Sequence, residues 1–308
     1  MATIVETNDE WIRTRTGISN RHFADKETNL SLGMEAAEKA LEMAGISKEE
    51  IGVVICATIT PDNIVPSQAC MLQKELGLPE TVFAFDICAA CTGFLYAVHT
   101  ARSLLCSMPE KKYALVVASE VLSRVTNFAD RNTCVLFGDG AGAAVLQAST
   151  GEEGEGSVLA TDIGSDGSLH DLLQIPGGGS RCPTTAENAH ERLATLAMRG
   201  NETFRHAVTR MKASAASVIE RAGLTADDIQ LIIPHQANLR IINAVAQRLS
   251  IPEDKVFVNI EKYGNTSAAA VAIAFDEARR SGRFGKGDNV VLVTFGAGLT
   301  WSAAVIRW

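Results

Sequence analysis

The 308-residue chain has no run of 18 or more apolar residues, so no transmembrane helix is expected. It also has no excess of positive charge. Lys and Arg number 28 against 36 Asp and Glu, a formal net charge of -8, which argues against general nucleic-acid binding. Met1 to Trp11 carries acidic residues and no apolar signal-peptide core, so a cytoplasmic location is expected. The seven cysteines (Cys56, Cys70, Cys88, Cys91, Cys106, Cys134 and Cys182) are odd in number and irregularly spaced, unlike a secreted disulfide scaffold. Only Cys88 and Cys91 are close together. Without a second Cys pair or a nearby His they make no zinc site, and no metal is expected. What is present is a 46% apolar content and a moderate 21% charged content, enough for a large core and about two ordinary domains.

No low-complexity linker divides the chain, but it repeats itself. Ala44-Gly45-Ile46, Glu49-Glu50-Ile51 and Val53-Val54-Ile55 match Ala222-Gly223-Leu224, Asp227-Asp228-Ile229 and Leu231-Ile232-Ile233 at an offset of 178 residues. Each set reads as a helix end, a Gly stop, an acidic turn and a buried strand. Further on, Val82-Phe83 leads to Cys91-Thr92-Gly93 and an apolar helix, as Val256-Phe257 leads to Asn265-Thr266-Ser267 and an apolar helix. A third pair of β-branched runs lies at Ala114 to Val117 and Val290 to Val293. Three matches in order at nearly one offset indicate a duplicated α/β unit. The period is far too long for a solenoid. Strands are expected at 53–58, 82–87, 114–119, 134–147, 157–163, 230–234, 256–260, 290–295 and 302–307, in sheets flanked by helices. Residues 164–200, with Pro176-Gly177-Gly178-Gly179, read as a surface excursion. The halves divide as 1–155 and 156–308. The second opens with a strand near Val158-Leu159-Ala160, whose counterpart would fall before residue 1. The first half is therefore expected to lack its opening strand, or the chain to start late.

Three segments carry chemistry. Cys91 follows an apolar strand and a tight turn of small residues, at the start of a helix. The helix dipole and unpaired N–H groups there favour thiolate. The structural alternative is a packed thiol, the reading given to Cys88. Together the two form a C-x-x-C between strand and helix, the setting of a thiol-disulfide oxidoreductase, although such proteins have no use for a duplicated chain. His235 follows the apolar run Ile232-Ile233-Pro234, and ligand sites in α/β sheets favour the carboxyl ends of strands. Asn265, in Tyr263-Gly264-Asn265-Thr266-Ser267, reads first as a helix N-cap. It is also the repeat partner of Cys91, so a pseudo-two-fold would bring the two helix starts to one centre. Phe137-Gly138-Asp139-Gly140-Ala141-Gly142 lacks the third Gly of a dinucleotide loop and the Lys-Ser/Thr of a P-loop, and reads as a turn between strands. Phe295-Gly296-Ala297-Gly298-Leu299 is a Gly-rich turn able to aim an N–H at an oxyanion.

These segments, together with Asp9-Glu10-Trp11-Ile12-Arg13-Thr14-Arg15-Thr16-Gly17-Ile18, Pro234-His235-Gln236-Ala237-Asn238 and Gly264-Asn265-Thr266-Ser267, resemble the β-ketoacyl-acyl-carrier-protein synthase III family. The resemblance spans nearly the whole chain. It separates the sequence from thiolases, which use a second Cys, and from elongating synthases, which use two His. It implies an α/β, duplicated thiolase-like fold in five layers, αβαβα. It also implies a homodimer that acylates Cys91 from an acyl-CoA and condenses that acyl group with malonyl-acyl-carrier protein, starting fatty-acid synthesis. A relative from secondary metabolism using another thioester pair is the alternative. No cofactor is implied beyond the coenzyme A thioesters themselves. The backbone N–H groups of Cys91 and Ala297 would hold the oxyanion, and His235 and Asn265 would donate to the enolate. Trp11 and Arg131 would sandwich the adenine, Arg15 would meet pantetheine or phosphate, Asn238 the pantetheine tunnel, and Phe295 would stand at the site's mouth.

Two departures from the family pattern stand out. The stretch before Thr3-Ile4-Val5-Glu6-Thr7 that holds the family's opening strand is absent, in agreement with the gap in the repeat, and a late start is the expected reason. Val65 stands where some members carry an aromatic that shortens the acyl pocket across the dimer, so longer or branched primers are expected. An acidic carrier protein docking on this acidic chain needs a local basic patch, for which Arg205, Arg210, Lys212, Arg240 and Arg248 are the candidates.

Overall fold

The computed structural model describes residues 1–148 and 156–308. The first half runs through helices α1 (Asp9–Thr16) and α2 (Asn29–Ala44), strand β1 (Ile51–Ala57), helix α3 (Gln68–Glu75), strand β2 (Phe83–Ile87), helix α4 (Gly93–Ser107), strand β3 (Tyr113–Glu120), the one-turn helix α5 (Arg131–Cys134) and strand β4 (Gly140–Gln147). The second half opens with β5 (Ser157–Ser165), the short strands β6 (Leu173–Gln174) and β7 (Ala197–Met198), and helix α6 (Gly200–Arg221). It continues with β8 (Ile229–Pro234), α7 (Leu239–Arg248), the short α8 (Ile260–Tyr263), α9 (Ala269–Arg280), β9 (Asn289–Gly296) and β10 (Thr300–Arg307). The expected boundary between residues 155 and 156 adjoins a segment, 149–155, outside the described residues.

Strand order is β2-β1-β3-β4 in one sheet and β5-β10-β9-β8 in the other. In the first, β1 runs parallel to β2 and β3, while β4 is antiparallel to β3. In the second, β8 is parallel to β9, and β10 is antiparallel to both β9 and β5. The duplication is thus explicit: β1, β3 and β4 correspond to β8, β9 and β10. Period-2 alternation sends the two faces of each strand to different cores. Val53, Ile55, Ala57, Val116, Leu231, Ile233 and Leu292 enter one core with residues of α4 and α9. Val54, Cys56, Leu115 and Val117 face α2 and α3 instead, and Ile232, Val291, Val293 and Val305 face α6 and α7. The layers are therefore α2 and α3, first sheet, α4 and α9, second sheet, α6 and α7. This is the five-layered α/β fold expected.

Three expectations need correcting. Residues 134–147 do not form one strand. The Asp130 side chain accepts from Asn132 N at 2.9 Å and caps α5, and β4 begins only at Gly140. The segment 256–260 makes a single parallel bridge, Ile232 to Val256, and turns into α8 because the Gln236 side chain accepts from Asn259 N and Ile260 N. The excursion 164–200 contains the two-stranded β6–β7 ladder. In the second sheet β5 covers β10. Among the described residues no strand covers the matching edge of β4, and a groove of about 720 Å³ lies there, lined by Ala36, Ala143, Val145, Val158, Ala272 and Trp308 among others.

Candidate active site

Cys91 sits in a 3₁₀ turn, Ala90–Thr92, between β2 and α4. The turn is fixed by Ala90 at φ 45° and by the Thr92 hydroxyl, which donates to Ala89 O at 2.6 Å and to Thr300 Oγ1 at 2.9 Å. Two glycine positions let other elements close on it. A Cβ at Gly296, the last residue of β9, would lie 2.8 Å from Cys91 N. A Cβ at Gly93 would lie 3.3 Å from that of Ala268, just before α9. The equivalent helix starts of the two halves do meet, as the repeat suggested.

His235 follows β8 directly, and its backbone N–H donates to Val293 O on β9 at 2.8 Å. Gln236 locks this corner, donating from Nε2 to Pro234 O at 2.7 Å and Phe257 O at 3.2 Å. The His235 ring is 2% exposed and neither nitrogen has a hydrogen-bond partner among the described residues. Burial without a compensating charge pulls its pKa down to about 4, so at neutral pH the imidazole is uncharged and keeps one N–H to donate.

Asn265 is not the cap of α9, whose N-cap is Ala268. It lies in the turn before, where its Oδ1 accepts from Ser267 N at 2.9 Å, so the Nδ2 hydrogens remain as donors. Its backbone is held by the first half: Asn265 N donates to Leu136 O at 2.8 Å, and Gly138 N donates to Asn265 O at 3.0 Å. The glycine segment 137–142 thus clamps Asn265 in addition to leading into β4. Asp139 braces that clamp, accepting from Ala24 N, Ser123 N and Ser123 Oγ.

The expected thiolate is corrected. Burial outweighs the helix start and pushes the Cys91 thiol up to about 12; the negative charge of Glu120 adds to this, while Ser267 opposes it. Cys88 is exposed, not packed, and both thiols are free. Sequence reasoning missed Glu120 altogether and met Ser267 only as part of the segment around Asn265. Both are buried, and burial alone reveals them.

Comparison with known proteins decides the family. Residues 219–308 match the family model described as "3-Oxoacyl-[acyl-carrier-protein (ACP)] synthase III C terminal" and residues 85–167 match "3-Oxoacyl-[acyl-carrier-protein (ACP)] synthase III". The "Beta-ketoacyl-[acyl-carrier-protein] synthase III" of Desulfitobacterium hafniense strain Y51 is 49% identical over 99% of this chain and 91% of its own length. The chain belongs to the β-ketoacyl-acyl-carrier-protein synthase III family. The Clostridioides difficile strain 630 synthase III is 47% identical over 99% of this chain and 92% of its own. The crystal structure of the Aquifex aeolicus VF5 synthase III covers 100% of this chain and 93% of that one, at TM-score 0.90 and 44% identity. Membership makes this an acyl-transferring condensing enzyme, and the redox reading of Cys88 and Cys91 finds no support.

The remaining synthase III positions can then be placed. Trp11 and Arg15 lie on α1, which starts where the Asn8 side chain accepts from Trp11 N at 2.8 Å. The Arg131 guanidinium sits 4.8 Å from the Trp11 ring centroid, and that of Arg15 5.8 Å away. Asn238 caps α7, accepting from Arg240 N at 2.9 Å, and donates to Arg15 O at 3.3 Å. Phe295 does not stand at an open mouth. It is buried in the core on the α6 side of β9. Val65 is 82% exposed. Arg205, Arg240 and Arg248 are exposed on the packed pair α6 and α7. Arg210 is committed to Asp166 at 3.3 Å and to the Trp301 ring at 4.5 Å.

Proposed function

We propose that Cys91 takes an acyl group from an acyl-CoA and passes it to the carbanion of malonyl-acyl-carrier protein. The thiolate attacks the thioester carbonyl, with the N–H groups of Cys91 and Ala297 facing the developing oxyanion. After coenzyme A leaves, the malonyl thioester loses CO₂, and decarboxylation itself supplies the carbanion. No strong base is then needed, and no cofactor beyond the thioesters. What the site must supply is stabilisation of enolate charge. A cation would do this, but so do two neutral donors in a site that excludes water. The observation carrying the reading is that His235 and Asn265 are such donors: one a buried uncharged imidazole with both nitrogens unengaged, the other a carboxamide whose oxygen is already used.

The planar guanidinium of Arg131 over Trp11 suits adenine stacking. At 4.8 Å the pair must part to admit a ring. Arg15 and Asn238 lie beside it, on the path of phosphate and pantetheine. Arg205, Arg240 and Arg248 make a local basic face for an acidic carrier protein. A homodimer is supported by the edge strand β2, where Phe83 is 45% exposed, and by Ile64 and Val65 at 93% and 82%. Val65 so placed would shape the partner's acyl pocket and admit primers longer than acetyl. The reaction belongs in the cytoplasm.

The test is intact-mass detection of acyl adducts on Cys91 after incubation with acetyl-, isobutyryl- and octanoyl-CoA, followed by a malonyl-carrier-protein chase. The adduct is expected with more than one primer and should disappear on the chase. No adduct on Cys91 would overturn the function, and strict acetyl preference would overturn the primer reading.

A further inference from the structure

At the end of β3, one buried carboxyl stands outside the machinery described so far. Glu120 is 0% exposed. Its Oε2 accepts from Thr60 Oγ1 at 2.7 Å, Ile59 N at 3.1 Å and Thr58 Oγ1 at 3.2 Å, while its Oε1 has no partner. Thr58 is in turn held by Asn29 Nδ2 at 3.0 Å, so this half of the carboxyl is rigidly fixed. Ser267 belongs to the same corner: a Cβ at Gly93 would lie 3.0 Å from that of Ala57, next to Thr58, and 3.3 Å from that of Ala268, next to Ser267. Its hydroxyl is buried with no settled partner, yet it lies within reach of both the Glu120 carboxyl and the Cys91 thiol, easing the ionisation of each. Ser267 is held at φ 51°, a left-handed conformation that a non-glycine residue adopts only where its surroundings impose it. Thiol, hydroxyl and carboxyl thus gather in one buried corner where the two halves meet.

We propose that Ser267 and Glu120 form the proton relay of Cys91. As the sulfur attacks the acyl-CoA carbonyl, the S–H bond breaks and its proton moves to Ser267 Oγ. The hydroxyl's own proton moves to Glu120 Oε1, and the sulfur electron pair forms the new C–S bond. Coenzyme A leaves with the electrons of the old C–S bond and takes a proton from water. Glu120 stays neutral through decarboxylation, so no carboxylate opposes the enolate. When the carbanion displaces Cys91, the thiolate recovers the proton from Glu120 through Ser267. One proton is consumed per turnover, by the coenzyme A thiolate, and both relay groups are reset. Glu120 acts through Ser267 and is a positioning residue; Ser267 meets the reacting sulfur.

The surroundings suit an acceptor that gains and loses a proton. Burial raises Glu120 to about 7 against neutral donors from Thr60, Ile59, Ser267 and Thr58. The other ionisable groups of this region are the thiols of Cys56, Cys88 and Cys91, all raised in part by the Glu120 charge, and Asp62 and Asp86 beside Cys56.

The inference rests on Cys91 being the acylated nucleophile, and the experiment separates the two. Single-turnover acylation of Cys91 by acyl-CoA is followed by intact mass from pH 5 to 9 in wild type, Glu120→Gln, Glu120→Asp and Ser267→Ala. Wild type should show an inflection near pH 7. Glu120→Gln and Ser267→Ala should lose it and acylate about 10²–10⁴-fold more slowly at its plateau, with Glu120→Asp restoring the inflection in part. Ser267→Ala removes only a hydroxyl with no settled bond, so it tests the relay even if Glu120→Gln misfolds. Asn265→Ala should keep the inflection while losing condensation. A wild-type acylation profile in either Ser267→Ala or a folded Glu120→Gln overturns the relay and leaves the nucleophile standing; absence of acylation in wild type overturns the nucleophile as well.

Discussion

A methyl group at Gly264 should separate the two half-reactions. Its φ of 69° and ψ of -157° lie where L side chains are rarely found, and a Cβ there would fall 2.7 Å from Leu136 O. That same oxygen accepts the bond from Asn265 N. The collision is with main chain, so no side chain can swing aside. Gly264→Ala therefore costs about 1–3 kcal/mol in backbone strain, and the nearest relief is to push Asn265 off Leu136. Its Nδ2 then leaves the enolate oxygen, and losing one such donor costs about 10²–10³ in rate. Ser267, anchored at the start of α9, moves less, so acylation of Cys91 should fall far less than condensation. The assay measures acyl-enzyme formation by intact mass and CO₂ release from malonyl-carrier protein by the pre-acylated enzyme, with a thermal melt as control. Equal loss of both activities, or wild-type condensation in a variant that melts like wild type, would refute the clamp and the role of Asn265 together.

His235→Ala should likewise lose about 10²–10³ in decarboxylation while retaining acyl transfer. Its lowered pKa of about 4 means that the neutral donor persists well below pH 6.5, so CO₂ release should show no fall through pH 6 that His235→Gln abolishes. The sign for stability follows from the same shift: a base whose folded pKa is depressed contributes stability above its unfolded value, lost as pH falls from about 6.5 towards 4. His235→Gln should accordingly flatten the melting temperature across that window in a pH series. Trp11→Ala and Arg131→Ala should raise KM for acyl-CoA with little change in kcat, measured with acyl-CoA against an adenine-free acyl-pantetheine, whose KM should not move. Arg240→Glu with Arg248→Glu should weaken use of the carrier protein and flatten its salt dependence, leaving the less salt-sensitive CoA step intact; equal salt response of both steps would count against the docking face.

The framework of this fold is legible because each strand carries its own signal. The runs at 53–57, 114–117, 231–233 and 290–293 are continuously apolar, as strands buried on both faces must be, and their repetition gives the two halves away. His235 is legible for the same reason, since it follows such a run, whereas Cys91 follows the edge strand β2 and is legible from the turn of small residues that opens a helix. Asn265 is legible as chemistry only through the repeat. Its local setting was not, because the bonds that hold it come from Leu136 and Gly138, over a hundred residues away. Residues 256–260 have the β-branched and aromatic composition of a strand, yet the Gln236 carboxamide accepts the N–H groups of Asn259 and Ile260 and turns the chain into a helix. Glu120 ends a strand, where a charged residue ordinarily meets water. Nothing in the sequence says that Thr58, Ile59 and Thr60 close over it.

One physical cause runs through the whole site. Removing water lowers His235, raises Cys91 and raises Glu120; every ionisable group is driven towards its neutral form. For the second half-reaction this is an advantage. Fixed neutral donors in a medium of low dielectric stabilise a new negative charge more strongly than solvent would, without reorganising. For the first it is an obstacle, because a thiol near 12 is almost wholly protonated at pH 7, with a thiolate fraction on the order of 10⁻⁵. A dry site suited to the enolate is therefore poorly suited to making the nucleophile. It can serve both steps only if the thiol's proton has somewhere nearby to go when the substrate arrives. That requirement gives a buried carboxyl, one hydroxyl away from the sulfur, a purpose that packing alone does not.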